Sequence, residues 1–296
     1  MYIDAHFHID DLMEYVANVS EHLTGANISG IASCHSLESF ETTAALINNI
    51  NTNTMTASCT NTTSSAPCIH ISFGIHPQAV SMSLVELITD LAHRNAIRAI
   101  GECGFDFYGD RPGCMLNDTN LSLQKEAFEA QLDLAERFGL PIIIHARKAE
   151  SILFQYTKQL AKLRAVIFHS WNKSPQEARD LLRHIPEAFF SIGTSIVNGN
   201  KKTFASAGTL PLTHILTESD APWQPPRLEP VQGSPVIRPF SSQEDIPRII
   251  SFITAARELN GTFVPGFWLQ QPDNTLRSEI IHTISNNFER IFNEHI

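Results

Sequence analysis

The stretch Met1-Tyr-Ile-Asp-Ala-His-Phe-His8 opens the chain as a short, largely apolar segment ending on two histidines. Side chains two residues apart share one face of an extended strand, so both imidazoles point the same way. A lone His-x-His pair carries little weight. This one is flanked by Asp4 and Asp10, and its pattern recurs downstream. Glu102 follows Ala96-Ile-Arg-Ala-Ile-Gly101, His145 follows Leu140-Pro-Ile-Ile-Ile144, His169 follows Ala165-Val-Ile-Phe168, and Asp220 closes His214-Ile-Leu-Thr-Glu-Ser219. Polar residues of metal-ligand type at successive strand exits are what a barrel enzyme looks like in one dimension. In a barrel those ends converge at one mouth.

The rest of the chain alternates short β-branched runs with amphipathic helical stretches, which implies βα units around a parallel sheet. Strands are expected near 1–7, 28–34, 69–75, 97–102, 141–145, 164–169, 188–192 and 214–218. Helical periodicity is clearest over 122–138, through Leu123, Phe128, Leu132, Leu134 and Ala135. Further helices are expected near 10–24, 84–94, 147–161, 175–184, 243–258 and 276–293. Gly139-Leu140-Pro141 reads as a helix stop leading into a strand. The pattern predicts an α/β fold, a (β/α)8 TIM barrel over residues 1–296 as one domain. The alternative, a doubly wound open sheet, lacks a Gly-rich dinucleotide turn.

Three stretches read as inserted loops: 51–67, almost all Asn, Thr, Ser and Ala; the proline-rich 221–242; and 264–275. The second follows Asp220 and is expected to overhang the site. Nothing in the sequence reads as an internal repeat or an interdomain linker.

Composition narrows the class. With 43% apolar and 18% charged residues the chain is ordinary for a globular protein. No run approaches the roughly 20 apolar residues that span a bilayer, and no leader pattern precedes the first strand. Cys34, Cys59, Cys68, Cys103 and Cys114 are scattered without a CxxC, which fits reduced thiols better than a disulfide framework. The expectation is a soluble, cytoplasmic protein with no membrane partner. Asn-x-Ser/Thr triplets, as at Asn61 and Asn117, read as chance in an Asn/Thr-rich chain. A net charge of −10 argues against a sequence-independent DNA coat held by counterion release. It does not exclude a nuclease, because divalent cations in a small cleft neutralise phosphate locally. The oligomeric state is left open and is compatible with a monomer.

Taken singly, each strand-end residue has a plain structural reading. Glu102 also reads as a cap or turn carboxylate, His145 and His169 as satisfied core histidines, and Asp220 as the opening of a turn. Holding all of these at four strand ends together is improbable. Four histidines and two carboxylates exceed the need of one tetrahedral ion and suit two. Mixed N/O ligation without thiolate suits Zn²⁺, Mn²⁺ or similar ions, whereas pure Mg²⁺ sites prefer oxygen. A pair of such ions lowers the pKa of bound water and clamps a phosphoryl or carbonyl oxygen. Hydrolysis follows from the ligand types; the substrate does not.

Six motifs in order resemble the TatD-type metal-dependent deoxyribonucleases of the amidohydrolase-like superfamily. They are Asp4-Ala-His6-Phe-His8-Ile-Asp10, Gly74-Ile-His76-Pro77, Gly101-Glu102-Cys103-Gly104-Phe-Asp106-Phe-Tyr108, Pro141-Ile-Ile-Ile-His145-Ala-Arg147, Phe168-His169-Ser170, and Thr217-Glu218-Ser-Asp220-Ala-Pro222. The resemblance runs from residue 1 to about 224 and returns at Asn287-Phe-Glu-Arg-Ile-Phe292. It implies a barrel with two divalent ions (Zn, Mn or Mg), one held by His6, His8, Glu102 and Asp220. The other would be held by Glu102, His145 and His169, with Glu102 as the bridge. Asp220 would accept the proton of the attacking water, making Asp220 and Glu102 the catalytic carboxylates. His76 and Arg147 match positions near the substrate phosphate, which implies DNA as substrate without sequence specificity.

The chain departs from the family pattern in three places. Lys148 stands where an Asp usually follows the His-x-Arg triplet, and His169-Ser170-Trp171 replaces His-Cys-Phe. The Arg/Asn-rich segment after the Asp-Ala-Pro turn is not recognisable in Pro225–Pro239, where Arg227 and Arg238 are the basic candidates. No metal-ligand position changes, so the departures bear on substrate. Trp171 or Trp223 would stack a base or, alternatively, pack at the rim. The alternatives to a deoxyribonuclease are a hydrolase of a small phosphoester, amide or lactone, and a non-catalytic metal-stabilised binding protein.

Overall fold

Eight strands follow one another around a single sheet in sequence order, each parallel to the next. They are β1 (Tyr2–Phe7), β2 (Ile28–Cys34), β3 (Ile69–Phe73), β4 (Ala99–Asp106), β5 (Ile142–Arg147), β6 (Val166–Phe168), β7 (Ala188–Ile192) and β8 (Ile215–Thr217). The computed structural model describes residues 1–57, 68–109, 111–227, 238–264 and 273–292. The circle closes between β8 and β1. There the Thr217 hydroxyl donates to Ile3 O at 2.6 Å, Asp220 N–H to His6 O at 2.9 Å, and His8 N–H to Ala221 O at 2.7 Å. The expected (β/α)8 TIM barrel is the observed fold.

Sheets covered on both faces need strands that are apolar throughout. Accordingly every residue of β2, β4 and β7 is buried, as are Ile142, Ile143 and Ile144 of β5. Helices between the strands form the outer layer. The longest fully described one, Asp118–Phe138, begins where the Asn117 side chain accepts the Asn120 N–H at 2.9 Å and ends at Gly139, whose φ of 62° suits glycine.

That helix corrects the expected apolar face in one detail. Leu123 is exposed, and the buried register instead includes Gln124 and Gln131. The two glutamines lie two helical turns apart, and each amide mimics a peptide group. Gln131 accepts Ile75 N–H at 2.7 Å and donates to Ile75 O at 3.2 Å; Gln124 accepts Asp106 N–H at 3.0 Å and donates to Asp106 O at 3.1 Å. Buried backbone groups at the end of β4 and just beyond β3 are thereby satisfied, and Asp106 and the loop carrying His76 are held in place.

Other boundaries also shift. The helix expected over 10–24 is two pieces, Ile9–Leu12 and Val19–Gly25, the second capped by Asn18 through the Glu21 N–H at 3.2 Å. The one expected over 147–161 is three short turns between Glu150 and Leu160. Helices over Leu37–Ala57 and Lys201–Thr209 were not expected. The first carries into the stretch 51–67, so the loop expected there does not begin at residue 51. Extending an existing helix through polar residues costs far less than nucleating one, so composition concealed it. Residues 58–67, 228–237 and 265–272 of the three expected loops lie outside the described residues. The last helix, Asn274–Phe292, starts within the third stretch, where Asp273 accepts the Thr275 N–H at 2.7 Å.

Two parallel ladders lose register, between Asp4 and Phe7 of β1 and between Ile100 and Cys103 of β4. These irregularities fall on His6 and on Gly101-Glu102. An extra residue in one strand bends it locally and re-aims a side chain, a device found beside active sites. At Gly101, with φ of 134°, an added Cβ would lie 2.5 Å from Ile143 O, so only glycine fits beneath Glu102.

Candidate metal centre

The strand exits meet around one carboxylate. Glu102, from β4, is buried and presents one oxygen to each side of the mouth. Its Oε1 lies 2.6 Å from His145 Nδ1, 2.7 Å from His169 Nε2 and 3.5 Å from His76 Nε2. Its Oε2 lies 3.3 Å from His6 Nε2 and 3.6 Å from His35 Nε2. Asp220 completes the second side, with Oδ1 3.6 Å from His8 Nε2 and 3.7 Å from His6 Nε2. Asp220 and Ser170 adopt left-handed φ values of 52° and 50°, which turn the chain sharply at the ends of β8 and β6. Such backbone costs about 1–3 kcal/mol and persists where the surroundings enforce it.

Three of these rings also face an outer group. His6 Nδ1 meets Ser33 Oγ on β2 at 3.0 Å, His145 Nε2 meets Asp106 Oδ2 at 2.9 Å, and His169 Nδ1 faces Glu218 Oε1 at 3.6 Å. Outer contacts of this kind fix which nitrogen is available to a ligand. His145 donates to Asp106, so its Nδ1 lone pair is turned toward the Glu102 carboxylate, an arrangement that needs a proton or a cation between them. His76 is opposite in sense. Its Nδ1 accepts the Gln78 N–H at 3.2 Å, so the proton sits on Nε2 and that atom is a donor rather than a ligand.

Protonation follows the same contacts. Burial works to raise Glu102, but the charges of His169, His76 and His6 and the contact with His145 hold it well below the ordinary carboxylate range. Burial likewise opposes ionisation of Asp106, yet donation by His145, Gln78 and Tyr108 N–H brings it down to about 2. Burial lowers His76 to about 4, so it is neutral at neutral pH. Burial raises Asp4 to about 7 despite donation from Ser219 N–H at 2.8 Å and its hydroxyl at 2.6 Å; it clasps β1 to the turn carrying Asp220.

The donor set suits a divalent cation. Three overlapping triads have candidate ligand atoms within 4.8 Å of one another: His6, Glu102 and His169; His6, His8 and Asp220; His8, His35 and Glu102; in a fourth group, with Glu102 and His145, His76 offers a proton rather than a lone pair. His6 Nε2 is buried without a hydrogen-bond partner, an arrangement that costs several kcal/mol at most sites unless an ion occupies the space it faces. We expect Asp106→Asn to weaken divalent-ion binding about 10–100-fold, because it frees the His145 ring to take the wrong tautomer. Titration of chelator-stripped protein measures this, and unchanged binding would remove Asp106 from the account.

All eight residues singled out in the sequence reach this mouth: His6, His8, Glu102, His145, His169 and Asp220 around the carboxylates, with His76 and Arg147 on the wall. The cavity measures about 450 Å³. Arg147 makes no ion pair among the described residues; its guanidinium lies 4.3 Å over the Tyr108 ring. Trp171 is buried against Phe168 and Phe190, whereas Trp223 is half exposed on the cavity wall, its Nε1 donating to Asp11 at 3.0 Å. Arg238 is committed to Asp245, Glu244 and Phe240 O, away from the cavity lining. Sequence reasoning missed His35, although it directly follows β2 and obeys the strand-exit rule. It also assigned no role to Asp106, Glu218, Ser33 or Gln78, whose contacts come from other strands and loops.

Fold and site together define the class: a (β/α)8 barrel with a metal-type histidine and carboxylate centre at the carboxyl ends of its strands. The chain belongs to the TatD related DNase family, whose model it matches over residues 3–293. It is 31% identical over 179 residues to the metal-dependent hydrolase YjjV of Escherichia coli, covering 56% of this chain and 62% of that protein. It is 34% identical over 169 residues to the 3'-5' ssDNA/RNA exonuclease TatD of Enterobacter lignolyticus, covering 54% of this chain and 61% of that protein. The matches thus span about three fifths of the relatives' lengths. The crystal structure of Escherichia coli YjjV superposes with a TM-score of 0.72 at 24% identity, covering 99% of this chain and 98% of that one. A TatD family hydrolase from Entamoeba histolytica superposes at 0.73 with 15% identity, covering 98% of this chain and 97% of that one. Both show the same fold. No helix among the described residues is long and apolar enough to cross a membrane.

Proposed function

We propose that this single-domain barrel is a divalent-metal-dependent hydrolase that cleaves nucleic-acid phosphodiester bonds, with DNA as substrate and without sequence specificity. The observation that carries this reading is the convergence of five imidazoles on Glu102, with the buried His6 Nε2 left without a hydrogen-bond partner. One ion would be held by His6, His8, Glu102 and Asp220, the other by Glu102, His145 and His169. Zn²⁺ and Mn²⁺ match the mixed N/O donors, and Mg²⁺ is the oxygen-preferring alternative. Bound there, the ions supply a water of lowered pKa and neutralise charge on the phosphoryl group.

The protein's own groups do the rest. Asp220 accepts the proton of the attacking water; Gln224 Nε2, 2.6 Å from Asp220 Oδ2, holds the carboxylate in one rotamer. The Nε2–H of His76 donates to a phosphate oxygen. Arg147 supplies the one Lys or Arg side chain on the cavity wall among the described residues, and Trp223 offers an exposed ring to a terminal base. A cavity of this size with one fixed cation favours a strand end over a long duplex tract. The name of the Enterobacter relative supports the same substrate class. Cys34, Cys68, Cys103 and Cys114 are free thiols, which supports a reducing compartment, the cytoplasm.

The experiment is digestion of end-labelled single- and double-stranded DNA and RNA with Mn²⁺, Mg²⁺ or Zn²⁺, beside a chelator control. Metal-dependent nucleotide release supports the reading, and release insensitive to chelator ends it. The net charge of −10 favours the second reading, hydrolysis of a small phosphoester, amide or lactone, which metal-dependent turnover of such a compound without any on nucleic acid would establish. Arg147→Ala is expected to raise KM for a single strand roughly tenfold. It should also flatten the plot of log kcat/KM against log salt by about 0.7, the share of one phosphate contact on a single strand. Kinetics between low and moderate salt test both.

A further inference from the structure

His35 stands outside the ligand set proposed above, yet it has the marks of a ligand. It directly follows β2, and its side chain is about one-third exposed while its Nε2 atom is buried without a hydrogen-bond partner. Its Nδ1 lies 3.3 Å from Gly74 O. A carbonyl oxygen only accepts, so Nδ1 carries the proton and Nε2 carries a lone pair. That lone pair faces Glu102 Oε2 at 3.6 Å. A lone pair and a carboxylate oxygen repel at this separation unless a cation lies between them.

Distances to the neighbours agree. Donors about 2.0–2.2 Å from one ion lie roughly 3.0–3.5 Å apart at adjacent positions. The pairs His6 Nε2–Glu102 Oε2 at 3.3 Å, His35 Nε2–Glu102 Oε2 at 3.6 Å and His8 Nε2–Asp220 Oδ1 at 3.6 Å are close to that edge length. His8, His35 and Glu102 offer donor atoms all within 4.8 Å of one another. His76 supplies the internal contrast. It faces the other oxygen of Glu102 at nearly the same distance, but its Nδ1 accepts a backbone N–H and its Nε2 is a donor. Two histidines of similar placement are thus sorted by tautomer, one toward a cation and one toward an anion.

We propose that His35 is a further ligand, through Nε2, of the divalent ion held by His6, His8, Asp220 and the Oε2 atom of Glu102. This rests on the metal-centre reading above. An added imidazole favours metals that prefer nitrogen donors, Zn²⁺ over Mg²⁺, on this side of Glu102.

The test is calorimetric titration of chelator-stripped protein with Zn²⁺ and with Mn²⁺, for wild type, His35→Ala and His35→Asn. The asparagine amide can still donate to Gly74 O but has no atom at Nε2, so it separates ligation from support of the loop. In both variants one of two binding phases should weaken at least about tenfold while the other stays unchanged. The visible absorption of the Co²⁺-loaded protein should also change in His35→Asn. Unchanged binding in both variants overturns the proposal, including the case where only KM rises and His35 contacts substrate instead. Loss in the alanine variant with retention in the asparagine variant also overturns it, since the Gly74 contact then accounts for the effect. If wild type itself binds less than one ion, the metal-centre reading falls together with it; if wild type binds two and His35→Asn binds both as tightly, only the His35 assignment falls.

Discussion

Glu102→Ala is expected to lower kcat/KM on nucleic acid by about 10³-fold or more, and to reduce metal content well below that of wild type. The size of the effect follows from geometry. Among the described residues Glu102 is the carboxylate that faces both halves of the centre, with His145 and His169 on Oε1 and His6 and His35 on Oε2. Its removal would take a ligand from each of the two proposed ions and leave several imidazoles facing one another without the carboxylate at their centre. His6 and His169 already stand with ring centroids 4.3 Å apart, and His145 and His169 with centroids 5.4 Å apart. The barrel itself should survive, because Glu102 projects into the mouth and not into the apolar layers. Metal analysis, far-ultraviolet circular dichroism and nuclease kinetics on the same preparation decide the matter. A folded variant holding the wild-type metal content, with activity within tenfold of wild type, would falsify the bridging role.

Asp220→Asn should separate binding from chemistry. The amide keeps the shape, and its oxygen can still accept from Gln224 Nε2, which lies 2.6 Å from Asp220 Oδ2. It cannot accept a proton from water. A fall in kcat of about 10²–10⁴-fold is expected, the range for loss of a positioned base, with KM changed much less. The ion proposed on the His145–His169 side should remain bound, since the imidazoles paired with Asp220 among the described residues are His6 and His8. Single-turnover kinetics with metal titration tests this. Turnover near the wild-type rate would move the base to another group.

Much of the fold and centre was legible because both depend on local rules. Strand periods, the helix stop at Gly139 and the polar residues in or just after the later part of several strands are written in adjacent residues. His35 was legible by the same rule and was overlooked, since Cys34-His35 has no second histidine or motif beside it. The helix Leu37–Ala57 was hidden for another reason: its apolar signal is weak and its later residues resemble a loop in composition. Gln124 and Gln131 were unreadable as core residues because their burial depends on peptide groups at Asp106 and Ile75 that only the folded chain brings near.

By itself, then, the sequence determined the barrel and the chemical types at its mouth, because βα alternation and strand-end polarity are short-range properties. The tertiary structure decided how those types divide into roles. Register shifts in β1 and β4 fall at His6 and Glu102, and ladder register is a property of paired strands. Whether an imidazole presents a lone pair or a proton is set by what its other nitrogen meets. For His35 that partner is Gly74, 39 residues along the chain; for His145 it is Asp106, also 39 residues away. A residue name specifies an imidazole, and only its three-dimensional neighbours specify which of its nitrogens is free to bind.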